Sequence, residues 1–183
     1  MPPGLLAAAE QLAQLGLHHH HSAEDELLWP LLLGRVDMEA EIVLRMEAQH
    51  ETIAATLTKV SGTIDAWEAA PSAATAAPVL IAMRAHLAAL REHLADEEEH
   101  ILPMAAEHLA VAEWARLGER FAEQTPKDKL LIFLGAILEE ATPLERAATL
   151  ANLPVIARIV WRAVGRRQYA RRMALIRGGI AWP

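Results

Sequence analysis

The stretch HHSAEDELLWP at residues 20–30 recurs in outline 73 residues later as HLADEEEHILP at residues 93–103. Each copy has a glutamate four residues after its first histidine and a proline six residues after that glutamate. Residues i and i+4 lie on the same face of an α-helix, so each copy offers an imidazole beside a carboxylate. Two such pairs on facing helices could build a two-metal site in a helical bundle. The pairs are His20 with Glu24 and His93 with Glu97.

The composition predicts a helical protein. The chain has 183 residues, of which 53% are hydrophobic and 22% charged, as expected for a soluble globule with a sizeable core. Alanine and leucine dominate, and both are strong helix formers. We therefore predict an all-α fold, an up-and-down bundle over residues 1–124 with a helical C-terminal extension over residues 125–183. The absence of cysteine excludes disulfides, thiolate zinc sites and iron–sulfur clusters.

Apolar periodicity and proline positions predict where the helices of the bundle lie. They indicate helices over about residues 4–29, 37–67 and 79–102, followed by a shorter one to about Glu123. Asp37 is the predicted N-cap of the second helix. Prolines 30 and 103 are expected to end or kink their helices, and the small residues between prolines 71 and 78 predict a loop. The third helix has an apolar stripe at Leu80, Met83, Leu87, Leu90 and Leu94.

Five polar residues fall on otherwise apolar helical stripes: His20, Glu24, His50, His93 and Glu97. Imidazole suits iron, zinc, copper and nickel, while carboxylates suit hard, oxidised metals. The mixed set therefore favours non-haem iron, as two ions, over structural zinc. A single His-x₃-Glu pair arises easily by chance and would carry little weight. The repetition of the whole pattern, with a third helix adding a histidine, makes a metal site the favoured interpretation.

The run of histidines at residues 18–21 leaves the register of the first site helix open. One or two of the four can face the core. His20 is the favoured residue because it pairs with Glu24, and His19 is the alternative.

Other polar residues near the motifs are weaker candidates. His86 and His100 each lie seven residues from His93, too far along the helix for all three to bind one compact centre. We expect them to be surface histidines, with a place beside the centre as the alternative. Glu47 could add a carboxylate, although a solvated side chain is favoured. Asp25 and Glu26 are expected to form a solvated face, while Trp29 and Met104 are expected in the core.

Three motifs carry a resemblance to a known family. They are HHHHSAEDELLWP at 18–30, EAQHETI at 47–53 and REHLADEEEHILP at 91–103. With them the chain resembles the hemerythrin-like family, also called the HHE cation-binding domain, over roughly residues 5–124. The resemblance implies a four-helix bundle around a non-haem di-iron centre, with histidine and carboxylate ligands drawn from all four helices.

The resemblance also implies roles for particular residues. His20 and Glu24 would be ligands from the second family helix, His50 from the third, and His93 with Glu97 from the fourth, the two glutamates bridging the irons. The sequence offers no earlier helix, so the first family helix and its histidine are expected to be missing. Ala54 also stands where some members place a further ligand. The true start of the protein could lie upstream, or the chain's own C-terminal helices or a second copy in a homodimer could complete the site. The site could instead bind one metal or none.

The function implied by this resemblance is binding rather than dedicated catalysis. We expect a non-haem iron protein that binds O₂ or a related small ligand such as NO or peroxide, or that senses or handles iron. The alternative is a metal-free helical interaction module whose basic tail binds a partner or a membrane surface.

Charge is distributed unevenly along the chain. All 24 acidic residues lie at or before Glu145, whereas residues 155–183 hold seven arginines and no acid. Such a tail usually meets an acidic surface. We favour packing across the acidic bundle over a membrane surface, and we expect no nucleic-acid binding because no reader motif is present. No signal peptide or transmembrane segment is predicted, so a cytoplasmic location is expected.

Overall fold

A computed structural model describes residues 5–36 and 40–177, and within these ranges it contains helices and no strand. The predicted all-α class is confirmed. Three π-helical turns, Glu24–Leu28, Glu97–Ile101 and Trp161–Gly165, join helices end to end. The helices are α1 Leu5–Ala23, α2 Trp29–Leu33, α3 Ala40–Ala69, α4 Ala73–Asp96, α5 Leu102–His108, α6 Val111–Gln124, α7 Lys127–Glu140, α8 Pro143–Asn152, α9 Val155–Val160 and α10 Arg166–Ile176.

The chain divides into two compact units, one ending at Gln124 and the other beginning at Thr125. In the first unit α1, α3 and α4 run up, down and up. The backbone of Ala7 bonds to Glu68 near one end of the α1–α3 pair, and Asp25 bonds to His50 near the other. The sequence motifs of α1 and α4 therefore lie at the same level of the bundle, where their side chains can meet.

Two apolar clusters fill this unit above and below that level. The first contains Leu28, Trp29, Leu32, Val43, Met46, Ile101 and Met104. The second contains Leu57, Val60, Ile64, Val79 and Ala82. Trp29 and Met104 are core residues, as predicted. Along both α3 and α4 the candidate histidines fall between the two clusters, so the bundle holds them in a segment with apolar packing on either side.

The prediction that the two motif prolines end or kink their helices is wrong in its first alternative, because neither proline ends its helix. Pro30 and Pro103 each follow a π turn, and helix continues to Leu33 and His108. The N–H of Trp29 donates to the carbonyl of Glu24, five residues back, and Leu102 donates to Glu97 in the same way. Proline lacks an N–H and crowds the carbonyl four residues earlier, and the wider turn accommodates both effects. The repeated Glu-x₅-Pro spacing thus produces the same distortion beside each candidate ligand.

The predicted loop between residues 71 and 78 is also wrong, because α4 starts at Ala73. Ser72 is its N-cap and forms a capping box with Thr75, and Pro78 lies inside the helix. The alanines that look like a loop of small residues are strong helix formers once this cap starts the helix.

The predicted buried stripe of α4 is displaced by one residue. Leu80, Met83, Leu87 and Leu94 are 58%, 45%, 46% and 47% exposed, and the buried face carries Val79, Ala82 and His93 instead. By length and composition the combined helix Ala73–His108 could cross a membrane, which by itself is weak evidence for a span. The expectation of no transmembrane segment stays a prediction.

The second unit contains α7 to α10. Thr142 caps α8 with a capping box to Glu145, and Pro143 lies in the first turn. Pro126 is the N-cap of α7. Gly135 of α7 lies directly against the ring of Tyr169, where a larger residue would clash. The predicted N-cap Asp37 lies outside the described residues.

Candidate metal centre

The buried histidine of the first motif is His21. It is 7% exposed, whereas half of the side chain of His20 is exposed. Sequence reasoning favoured His20 and missed His21. The helical spacing of apolar residues could have indicated His21. Steps of three or four residues lead from Leu32 through Leu28 and Glu24 to His21, and all four residues are buried.

Three imidazoles from α1, α3 and α4 meet in the core. The rings of His21 and His50 are stacked with their centroids 4.0 Å apart. His93 presents its ring edge-on, 5.2 Å from His21 and 4.9 Å from His50. One ring nitrogen from each of the three lies within 4.8 Å of the others. This arrangement can hold a metal ion, since neutral imidazole is the commonest protein ligand for metals.

A second group of ligand atoms adjoins the first. Single atoms of His20, Glu24 and Glu97 also lie within 4.8 Å of one another. Glu24 is 4% exposed and connects the two groups, because its carboxylate oxygens lie 3.6 Å from Nε2 of His20 and 3.5 Å from Nε2 of His50. The structure therefore brings all five predicted residues, together with His21, into two adjoining groups.

Five buried atoms of these groups lack hydrogen bonds. Eight buried side-chain nitrogen or oxygen atoms in the described part of the chain have no hydrogen-bond partner, and five of them belong to this site. Leaving a buried polar group unpaired costs about 1–3 kcal/mol, so such a concentration is not explained by packing alone. A cation fits, because it would accept a lone pair from Oε2 of Glu24 and from one nitrogen of each imidazole. The five atoms are His21 Nε2, Glu24 Oε2, His50 Nε2 and both ring nitrogens of His93.

Burial also shifts the protonation of the site. Burial, with the nearby Glu97 and Asp25, raises the pKa of Glu24 to about 8. Burial, with the neighbouring histidines, lowers the pKa of His21 to about 2 and that of His93 to about 4. Near neutral pH the metal-free site therefore holds neutral imidazoles and a protonated Glu24. A bound cation favours the deprotonated carboxylate, so metal binding and proton release are coupled here.

Asp25 orients one of the imidazoles. Its Oδ1 atom accepts a hydrogen bond from the indole N–H of Trp29 at 2.8 Å and lies 2.9 Å from Nδ1 of His50. Because an indole can only donate, Oδ1 is an acceptor, and Nδ1 of His50 is best assigned as its second donor. Nε2 of His50 then keeps its lone pair, facing Glu24. Carboxylates that orient metal-binding histidines in this way raise the affinity of the site.

Asp25 and Glu26 are both exposed, as predicted, but Asp25 also contacts His50 and Trp29. Glu26 forms a partly exposed ion pair with Arg120 of α6, 2.6 Å away. Asp25 could not be found from its own helix, because its partner His50 is 25 residues away on α3.

Replacing Asp25 with alanine is expected to weaken metal binding by about 10–100-fold. The reason is that His50 would lose the acceptor that fixes its tautomer and ring orientation. Asp25→Asn should recover part of the affinity because its amide oxygen still accepts. Competition with a chromophoric chelator measures the change, with Glu26→Ala as the matched control on the neighbouring residue. Equal affinities for Asp25→Ala and Glu26→Ala would contradict this role.

The weaker candidates lie outside both groups. His86 is partly buried and hydrogen-bonds to Thr56, with its Nδ1 3.0 Å from the hydroxyl oxygen, so it is not a plain surface histidine. His19 packs edge-on against Phe121 of α6. Within the described chain, the two ligand groups contain no atom of His86, His19, His100 or Glu47.

Helix α6 lies along α1 on the flank of the site. Leu117 packs on the first apolar cluster, and Arg120 holds Glu26 of the π turn. No residue of α6 joins either ligand group within the described chain. The helix therefore covers part of the bundle without supplying a ligand.

A cleft of about 760 Å³ between α1 and α3 leads to the histidines. His21 and His50 line it, with Glu47 on one wall and Ile53 and Leu57 among its apolar lining. Ligand sites of this size are common in proteins. A small molecule could therefore reach the site without unfolding of the bundle.

The fold and the site together define a helical-bundle protein with a buried cluster of histidines and glutamates suited to cations. The model of the family described as the hemerythrin HHE cation binding domain matches residues 3–105, more than half of the chain. The chain belongs to this family, which confirms the resemblance seen in its motifs and implies that it binds a metal cation. No curated protein and no solved structure matches the chain.

Proposed function

We propose that this protein binds two non-haem iron ions and, with them, O₂ or a related small ligand such as NO or peroxide. The observation that carries the proposal is the set of five buried nitrogen and oxygen atoms of His21, Glu24, His50 and His93 that have no hydrogen-bond partner in the described chain. Their chemistry, imidazole nitrogens beside carboxylate oxygens, suits iron. When bound, such iron would supply reversible electron exchange with the small ligand.

Two groups of three ligands support the proposed number of ions. His21, His50 and His93 would hold one ion, and His20, Glu24 and Glu97 the other. Glu24 lies against His50, so its carboxylate adjoins both groups of proposed ligands. The carboxylates of the second group favour iron over structural zinc, whose closed sites are usually built with thiolates and imidazoles.

The surrounding residues support ligand binding in a dry site. Trp29 fixes Asp25, and Asp25 in turn orients His50. Met46 and Ile53 are 0% and 1% exposed on either side of His50 along α3. These side chains exclude water from the core side of the site, while the cleft between α1 and α3 admits a ligand from the other.

Loading the chelator-treated protein with Fe(II) without oxygen tests the proposal. We expect about two irons per chain by elemental analysis, as the two groups imply. The free energy of unfolding should rise by about 3 kcal/mol when free Fe(II) is a hundred times its dissociation constant. Exposure to air or NO should then produce a visible absorption band.

A chain that retains no iron and melts at the same temperature with and without Fe(II) would contradict the proposal. That result would favour the alternative, a helical interaction module without metal. Retention of iron without any spectral response to O₂, NO or peroxide would instead restrict the function to iron handling.

A further inference from the structure

The exposed side of α9 is aliphatic. Val155, Ile156, Ile159 and Val160 are 61%, 76%, 60% and 40% exposed. Their spacing places them on one side of the helix, and Val164, 54% exposed in the following π turn, extends the same surface. We call these five residues the aliphatic stripe. Apolar side chains grouped on a surface indicate a binding site more often than isolated ones do.

The opposite side of the same segment packs inward. Trp161 is 7% exposed, and its ring lies against Gly165, where a Cβ atom would clash. The second unit already uses the aromatic residue of this segment for its own core. The aliphatic stripe is therefore a second apolar face, which the described part of that unit leaves open to solvent.

Arginines surround the aliphatic stripe. Arg177 pairs with Glu139 of α7, whereas none of the other six arginines of residues 155–177 forms an ion pair within the described chain. The sequence has no acidic residue after Glu145 that could neutralise them. The six are Arg158, Arg162, Arg166, Arg167, Arg171 and Arg172.

A basic groove of about 590 Å³ continues from the aliphatic stripe. It runs between α7 and α10, and Val164 belongs to both the groove and the stripe. Asp128 at its edge pairs with Lys129 at 2.8 Å. The Nε atom of Arg172 is buried without a hydrogen-bond partner in the described residues. Besides Val164, the groove has apolar residues Ile132 and Leu175 and cationic residues Lys129, Arg167, Arg171 and Arg172.

We propose that the helical segment 155–176 docks on the surface of an anionic phospholipid bilayer. The aliphatic stripe would enter the boundary between headgroups and acyl chains, and the arginines would bind lipid phosphates. Arginine suits this position because its apolar stem can lie along the membrane while the guanidinium reaches the phosphates. Apolar area and positive charge on one helix are the two features that this kind of membrane binding requires.

The charge of this surface argues against two other partners. A second copy of the same surface would bring two sets of unpaired arginines together, which repel. A nucleic acid would satisfy the arginines through its phosphates but would leave the aliphatic stripe in water. A bilayer satisfies both features, since its anionic headgroups lie directly above an apolar layer.

Vesicle co-sedimentation of the full chain tests the proposal. Vesicles of equal parts phosphatidylglycerol and phosphatidylcholine should bind the protein at least about tenfold more tightly than phosphatidylcholine alone, and added salt should weaken this binding. Ile156→Gln combined with Ile159→Gln should lower the affinity by about tenfold or more without changing charge. Arg162→Gln combined with Arg166→Gln should have an effect of about the same size.

The matched control is Val111→Gln combined with Leu144→Gln, which removes two aliphatic residues outside the stripe that are even more exposed, at 88% and 81%. This variant should bind vesicles like the unmodified chain. Equal binding of the unmodified chain to neutral and anionic vesicles would overturn the proposal, as would binding that Ile156→Gln with Ile159→Gln leaves intact. Tight binding to duplex DNA with none to vesicles would assign the arginines to nucleic acid instead.

Measuring the iron content of the variants tests membrane binding independently of the proposed metal function. Ile156 and Ile159 lie in the second unit, and none of the candidate ligands does. The variants should therefore retain as much iron as the unmodified chain, and vesicle binding should be the same with and without iron. The membrane proposal can thus fail while the metal proposal stands, and the reverse.

Discussion

Replacing His93 with alanine is expected to lower metal affinity by about a hundredfold or more, because it removes a ligand from a fully buried set. His93 is 1% exposed, and neither of its ring nitrogens has a hydrogen-bond partner in the described chain. His100 is the matched control. It lies seven residues further along, in the following π turn, and belongs to neither ligand group. Chelator competition and elemental analysis of the two alanine variants measure the difference.

The same experiment on the histidines at residues 18–21 decides which of them faces the buried site. His21→Ala should be as damaging as His93→Ala, since His21 stacks on His50 in the core. His18→Ala should bind metal like the unmodified chain, because His18 is exposed and lies outside both groups. If His20→Ala abolished metal binding while His21→Ala had no effect, the assignment of His21 as the buried ligand of α1 would be wrong.

The metal-free protein is expected to lose stability as the pH rises from 6.5 to 8. The folded-state pKa of Glu24 is raised to about 8 from an ordinary value of 4.5, so folding favours its protonated form. The resulting stabilisation is complete below pH 4.5 and is lost as the pH rises through 8. The pKa of Glu97 is also raised by burial, so its contribution has the same sign.

The buried histidines act in a different pH window. Their lowered pKa values, about 2 for His21 and about 4 for His93 against an ordinary 6.5, give stabilisation that is complete above pH 6.5 and is lost below it. Above pH 6.5 the buried carboxyl groups therefore determine how the free energy of unfolding changes with pH. One proton contributes at most about 1.4 kcal/mol per pH unit, so we expect the free energy of unfolding to fall by about 1–2 kcal/mol between pH 6.5 and 8.

Denaturation of the chelator-treated protein at several pH values measures this slope. Glu24→Gln should remove most of it, because glutamine has no proton to lose. Glu98→Gln, at an exposed neighbour of Glu97, should leave it in place. A slope of the opposite sign, or one unchanged in Glu24→Gln, would contradict the assignment of a protonated Glu24 in the metal-free site.

Much of the candidate site could be predicted because its signals are local. A histidine and a glutamate four residues apart must share a helix face wherever that helix packs. The pairs His20 with Glu24 and His93 with Glu97 could therefore be predicted from sequence spacing alone, without knowledge of how the helices pack. His50 was visible for a similar reason, as the polar member of an apolar stripe whose other members are buried.

The predictions that failed concern which side of a helix is buried, and this depends on the rotation of the helix about its own axis. Neighbouring residues on a helix differ by about 100°, so an error of one position exposes a stripe that was predicted to be buried. This happened for His20 and His21 in α1 and for the leucines of α4. The π turns before Pro30 and Pro103 add to the difficulty, because each inserts an extra residue into the helical repeat.

The sequence by itself determined the helical class, the family motifs and most of the candidate ligands, because helix propensity and i, i+4 geometry act within one segment. Only the tertiary structure decided that His21 joins the buried imidazoles and that Asp25 orients His50. It also decided that the leucines of α4 and the aliphatic stripe face solvent. These features depend on which faces of separate helices pack together, and that packing is set by contacts between residues far apart in the chain.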